Sequence, residues 1–98
     1  MLLNEEEIAI SLGALPDWQR DGSKIVCRRT FPGFGEALAF VNRVGLLAEA
    51  DDHHPDILIH DWNKVCLSLT THSEKGLTRR DFDLAGKISA LGRQDLDP

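Results

Sequence analysis

Long apolar runs are missing from this 98-residue sequence, and so is any excess of basic charge. No stretch approaches the roughly 18 consecutive apolar residues of a membrane span. Eleven lysines and arginines face sixteen aspartates and glutamates, for a formal charge of −5. A direct nucleic-acid binder would carry a basic footprint instead. Cysteine is scarce. Cys27 and Cys66 stand far apart, with no CxxC pair and no framework of further cysteines, so both are read as reduced sheet or core residues. There is no glycine-rich phosphate loop, no repeat and no low-complexity linker. The start, three glutamates after Met1-Leu2-Leu3-Asn4, lacks the basic and apolar regions of a secretory signal. What is left is a single soluble domain, with the cytoplasm as the simplest compartment. A domain of this length buries only about 60–70% of its unfolded surface. Its thin core makes association into dimers or larger assemblies a reasonable expectation.

The elements follow from pattern. Asn4 can cap a first helix whose opening turn holds Glu5, Glu6 and Glu7, where the helix dipole favours acids. Gly13 ends it. Asp17 to Arg20 reads as a short strand, Asp21-Gly22 as a hairpin turn and Lys24 to Phe31 as the return strand. Pro32-Gly33 breaks that strand. A long helix follows from about Gly35 to Asp51, with Phe34, Ala37, Leu38, Val41, Val44 and Ala48 forming an apolar stripe that Phe40 and Leu47 widen. Pro55 forces His54 out of the helical region, so the helix stops just before it.

Ile57 to His60 is then a strand and Asp61 to Lys64 a turn or bulge. Val65 to His72 alternates, with Val65, Leu67 and Leu69 on one face and Cys66, Ser68, Thr70 and His72 on the other. After the loop Ser73 to Gly76, Thr78-Arg79-Arg80-Asp81 has capping-box spacing and opens a last helix. Phe82, Ala85, Ile88 and Ala90-Leu91 supply its buried side, and the polar tail Gly92 to Pro98 is expected to fray. The order α-β-β-α-β-β-α makes an α+β fold: a four-stranded antiparallel sheet with helices packed on one face.

Histidine carries the chemical signal. His53 and His54 sit at a helix-to-strand junction and His72 at a strand end, the places where functional groups collect. Imidazole gives and takes protons near neutral pH, which suits a proton-transfer reaction. His60 reads as structural or exposed. A metal site is disfavoured: adjacent histidines on an extended backbone diverge, and there is no HxxxH or HxH pair. Ser68, Ser73 and the cysteines lack the context of a nucleophile. Asp81 already has a structural role in the capping box. Glu49 lies in the last turn of the long helix, where a carboxylate opposes the dipole, a hint that something else keeps it there; Asp51 and Asp52 continue the anomaly.

Taken in order, Glu49-Ala50-Asp51-Asp52-His53-His54-Pro55, Trp62-Asn63-Lys64-Val65, Leu69-Thr70-Thr71-His72 and Gly76-Leu77-Thr78-Arg79-Arg80-Asp81-Phe82-Asp83-Leu84-Ala85 resemble the pterin-4a-carbinolamine dehydratase family. The pattern is E-x-x-x-H-H-P, an aromatic residue, T-H, then G-L-T-x-x-D-x-x-L-A. The resemblance runs from about Leu15 to Leu91 and includes Leu15-Pro16-Asp17-Trp18 and Phe31-Pro32-Gly33-Phe34.

It implies the fold just read, no metal and no organic cofactor. The implied reaction is dehydration of 4a-hydroxytetrahydropterin to quinonoid dihydropterin, which recycles the cofactor of aromatic amino-acid hydroxylases. It also implies a homodimer or homotetramer; the acidic balance and the lack of long apolar runs speak against direct nucleic-acid contact and a membrane. By position, His53, His54, His72 and Asp81 match the family's catalytic residues. Asp52-His53-His54 and Thr70-Thr71-His72-Ser73 match its substrate-contacting stretches. Glu49 and Trp62 match supporting positions, although the six residues between Pro55 and Trp62 are at the long end for the family and allow a bulge near His60-Asp61. The expected roles are His53 and His72 as the acid/base pair, His54 as binder and orienter, and Asp81 as the group that holds or charge-stabilises a histidine. Two alternatives accompany this reading: a non-catalytic dimerisation or coactivator module of the same fold, and an enzyme acting on another pterin.

Overall fold

The computed structural model describes residues 1–96, with side chains through 91. Helix α1 spans Glu5–Gly13. Asn4 and Glu7 close a reciprocal capping box, Glu7 N–H donating to Asn4 Oδ1 at 2.8 Å and Asn4 N–H to Glu7 Oε1 at 2.9 Å. Strands β1 (Trp18–Asp21) and β2 (Lys24–Thr30) form a hairpin with Asp21 opposite Lys24. The connecting residues are therefore Gly22 and Ser23, not the expected Asp21-Gly22. A positive φ at Gly22 alone (62°) is the pattern of a II′ turn, where glycine takes the first central position.

Helix α2 spans Phe34–Asp51. Strands β3 (Asp56–His60) and β4 (Lys64–Leu69) follow, then a single 3₁₀ turn at His72–Glu74 and helix α3 (Arg79–Leu96). The element order is the expected one. Strand β4, however, stops at Leu69, three residues short of the expected end. An isolated bridge between Thr71 and Gly76 folds the chain back instead, so His72 sits in the 3₁₀ turn and not on a strand. The pairing of β3 with β4 runs without a bulge from Asp56↔Ser68 to His60↔Lys64. The extra residue of this segment is absorbed in the turn, where Asp61 and Trp62 both adopt left-handed φ (47° and 57°).

The sheet order is β1-β2-β4-β3. Its apolar face buries Trp18 of β1, Ile25 and Cys27 of β2, and Val65, Leu67 and Leu69 of β4. Across from these lie Ala37, Phe40, Val44 and Ala48 of α2 and Phe82, Leu84, Ala85 and Ile88 of α3. Phe40 is thus at the centre of the α2 stripe, while Phe34 and Leu38 are exposed at its margin. On α3, Leu84 is buried and Ala90 is exposed, because the inward face turns one position from the expected one. Helix α3 continues through Leu96, into the segment expected to fray; Asp97 and Pro98 lie outside the described residues. Cys27 and Cys66 are both free thiols.

Topology decides where chemistry can collect. Because β3 and β4 are antiparallel neighbours with Asp56 opposite Ser68, the chain entering β3 and the chain leaving β4 emerge at the same end of the sheet. His53-His54 and Thr70-Thr71-His72 are thereby brought together, and the start of α3 returns to the same place. His60 and Trp62 lie at the opposite end of β3, roughly 16 Å away for five residues at about 3.3 Å each.

Candidate active site

Helix α2 ends in a Schellman motif built without glycine. Asp52 takes the left-handed conformation (φ 49°, ψ 45°). Its N–H donates to Glu49 O at 3.3 Å, and the His53 N–H donates to Ala48 O at 3.1 Å. This turn reverses the chain and points it into Pro55 and β3, so that His53 faces inward and His54 outward.

His53 is only 7% exposed and Asp81 is fully buried. His53 Nε2 lies 2.6 Å from Asp81 Oδ1. The other carboxylate oxygen, Oδ2, accepts from Thr71 Oγ1 at 2.8 Å and from the Thr78 N–H at 2.9 Å. Asp81 therefore does two jobs at once: one oxygen closes half of the expected capping box and the other holds a histidine. The Thr78 hydroxyl departs from the box. It accepts from the Arg80 N–H at 3.3 Å and shares a hydrogen bond with Thr71 Oγ1 at 2.8 Å. A buried carboxylate with three partners is an oriented one, since each lost partner would leave a polar atom unsatisfied.

Outside this buried core, His54 Nε2 pairs with Glu49 Oε2 at 2.5 Å, both side chains being exposed. The contact gives the Glu49 carboxylate a partner where the dipole at the end of α2 opposes it. His72 is exposed at the head of the 3₁₀ turn and makes no side-chain hydrogen bond to another described residue. Thr70 Oγ1 donates to Ser23 O at 2.7 Å and ties this loop to the β1–β2 turn.

A cleft of about 200 Å³ opens among Asp52, His53, His54, Thr70, Thr71, His72, Ser73 and Arg80. That is below the range of about 300–1,000 Å³ common for ligand pockets and fits one bicyclic ring better than a nucleotide. A second cleft of about 430 Å³ adjoins it through Thr71, Ser73 and Arg80 and runs under the N-terminal residues Met1, Leu2 and Leu3. A third, about 240 Å³, lies on the other side of His53. Of the residues singled out in the sequence, the structure brings together Asp52, His53, His54, Thr70, Thr71, His72, Ser73 and Asp81, with Glu49 behind His54. It does not bring Trp62 to them: that side chain is 62% exposed at the β3–β4 turn. Sequence reasoning passed over Thr78 as a partner of the buried hydroxyl pair. It also passed over Arg80, whose Nη2 donates to Asp52 O at 2.5 Å and which lines all three clefts. The only local signal for Arg80 is its place next to Asp81. Among the described residues, no group of three or more histidine, cysteine or acidic side chains is arranged to hold a metal ion.

A buried carboxylate–imidazole pair, a second imidazole with no partner among the described residues and a small polar cleft lined by both imidazoles are groups of the kind proton transfer uses, carried here on a compact α+β scaffold. Comparison with known proteins gives the family. The family model described as pterin 4 alpha carbinolamine dehydratase matches residues 1–91, and the chain belongs to that family. A Roseiflexus castenholzii relative named "Putative pterin-4-alpha-carbinolamine dehydratase" is 53% identical over 92 residues, covering 92% of this chain and 96% of its own. A Cyanothece relative of the same name is 50% identical, with 94% of each chain covered. The crystal structure of a transcriptional coactivator/pterin dehydratase from Brucella melitensis superposes with a TM-score of 0.87 at 36% identity, covering 92% of this chain and 97% of that one. A pterin dehydratase-like RuBisCO assembly factor of the alpha-carboxysome shares the fold at a TM-score of 0.61 and 20% identity, over 76% of this chain and 84% of its own.

Proposed function

We propose that this protein dehydrates 4a-hydroxytetrahydropterin to quinonoid dihydropterin and water, a hydro-lyase reaction driven by histidine acid/base catalysis. The observation that carries the reading is the His53–Asp81 pair at the wall of a cleft that His72 also lines. In the substrate, C4a bears the hydroxyl and N5 bears a hydrogen. The C4a–O bond breaks as His72, in its protonated form, delivers a proton to the departing oxygen. His53 takes the proton from N5, and the N5–H electron pair becomes the C4a=N5 double bond. Solvent returns the proton from His53 to His72. Asp81 holds the His53 ring and balances the positive charge it gains. With Nε2 committed to Asp81, the nitrogen left for substrate is Nδ1. His54, at the exposed rim with Glu49, binds and orients the ring, together with the Asp52 and Thr70–Ser73 backbone. Each acid or base step is typically worth about 10²–10⁴-fold.

The test is a direct assay of carbinolamine dehydration with wild type and His72→Ala. Wild type should turn over, and the variant should lose about 10²–10⁴-fold in kcat. Its fold should be intact, because His72 is exposed and holds no partner among the described residues. A wild type that binds pterin but does not accelerate dehydration would favour the non-catalytic module or another pterin substrate.

A further inference from the structure

We infer that Arg80 is a positioning residue for the paired histidines, an assignment that rests on the dehydratase reading for its kinetic test but not for its structural one. The helix end that aims His53 and His54 has an unusual weakness. Its left-handed position is filled by Asp52 and not by glycine, and a residue with a Cβ pays for that conformation where glycine does not. The carbonyl of Asp52, just past the last turn, has no acceptor role within α2. The Arg80 guanidinium caps it from the first turn of α3, Nη2 to O at 2.5 Å. The next residue along, Asp81, holds the His53 ring at 2.6 Å. Two consecutive residues of one helix thus grip the histidine turn twice, once by its backbone and once by a side chain.

The two grips differ in consequence. Asp81 fixes how the His53 ring is oriented; Arg80 fixes the peptide from which both His53 and His54 are hung. Arg80 is exposed and its side chain packs no apolar core, so its removal should leave the fold standing. What it should cost is registration, and misplacing reacting groups by about 1 Å can cost on the order of 10²-fold. The readout that separates positioning from direct substrate contact is the histidine rings in the free protein, which an arginine that only touched substrate would leave unmoved.

The experiment compares wild type, Arg80→Gln and Arg80→Lys by dehydratase kinetics, urea unfolding and ring resonances of His53 and His54. Arg80→Gln should lose about 10–100-fold in kcat, with a much smaller change in KM and an unfolding midpoint close to wild type. Millimolar guanidinium, far below denaturing levels, should recover part of the lost rate. Arg80→Lys keeps the charge on a shorter stem and should fall between the two. The His53 and His54 ring resonances should move or broaden in Arg80→Gln while the methyl resonances of Ile25, Val65 and Leu69 stay in place. The inference is overturned if Arg80→Gln keeps the wild-type rate, if its rate loss is matched by its loss of stability, or if both histidine rings keep their wild-type resonances. If wild type itself fails to dehydrate the carbinolamine, the functional reading fails, and the ring resonances alone decide the role of Arg80.

Discussion

Replacing Asp81 with asparagine separates the two jobs this residue performs. The side chain is fully buried and receives three contacts: His53 Nε2 on Oδ1, and Thr71 Oγ1 and the Thr78 N–H on Oδ2. Asparagine has the same shape but one acceptor oxygen and one donor NH₂. The oxygen is best placed on the Oδ2 side, where two donors converge, which keeps the start of α3 capped. The NH₂ then faces His53, and two donors cannot meet. The imidazole must present Nε2 as an acceptor and carry its proton on Nδ1. The nitrogen assigned to take the substrate proton would already hold one.

The expected stability cost is therefore modest, about 1–3 kcal/mol for a weakened buried network. The expected loss in kcat is large, about 10⁴-fold by analogy with the tautomer reversal seen when a serine-protease triad aspartate is amidated. Initial dehydration rates, urea unfolding and the ¹⁵N shifts of the His53 ring, measured on the same samples, test this. Asp81→Asn with wild-type kcat would refute the assigned role of the pair. So would an unchanged His53 tautomer accompanied by full loss of rate. Asp81→Ala is the cruder control: it should add about 1 kcal/mol of lost capping and leave Thr71 and the Thr78 N–H without their acceptor.

Three further outcomes follow from individual contacts. His54→Ala should chiefly raise KM and change stability by less than about 0.5 kcal/mol, since His54 and its partner Glu49 are both exposed; steady-state kinetics and thermal unfolding check both halves. Ser89→Ala should destabilise the protein by about 1–3 kcal/mol, because Ser89 Oγ accepts from Trp18 Nε1 at 2.9 Å and donates to Asp17 Oδ2 at 2.8 Å in a buried site; a midpoint unchanged in urea would refute it. Burial pushes the Cys27 thiol above its ordinary value, with nearby Arg29 opposing this only in part. The folded state then holds a proton that the unfolded chain gives up, so stability should fall as pH rises above about 8.5, the ordinary thiol value. Urea titrations across that range should show a shallower decline in Cys27→Ala than in wild type.

The fold was legible wherever a local rule had no competitor. The alternation of Val65, Leu67 and Leu69 against Cys66 and Ser68 is preserved as buried against half-buried positions. The capped start of α1 and the stop before His54-Pro55 were set by residues acting within one turn. The misreadings occurred where a distant partner outweighed local pattern. Thr70-Thr71-His72 continues the strand alternation, yet Thr71 N–H bonds to Gly76 O at 2.9 Å and its hydroxyl is drawn to Asp81 and Thr78. The strand is cut short there, and His72 is lifted into the 3₁₀ turn. At the β3–β4 connection the expected choice between turn and bulge resolves as a turn with two left-handed positions, which keeps a register in which a single slip would move every side chain of β3 to the other face.

The site was legible in a different way. Periodicity located the histidines at element ends but could not pair them; the motif order supplied the pairing through resemblance. The resemblance also gave the histidines different expected roles, but it did not say which of them Asp81 holds or how each is buried. The three imidazoles occupy three environments: His53 buried against a fully desolvated carboxylate, His54 exposed against an exposed one, and His72 exposed with no partner among the described residues. Acid/base chemistry needs that asymmetry, because identical imidazoles would divide between donor and acceptor forms with no preference for which face of the substrate each serves. On the proposed mechanism that division comes from α3, which places Asp81 against His53 alone of the three. A helix whose first turn reads locally as a capping box thus sets, on that proposed mechanism, the proton roles across a cleft formed by the ends of two other elements.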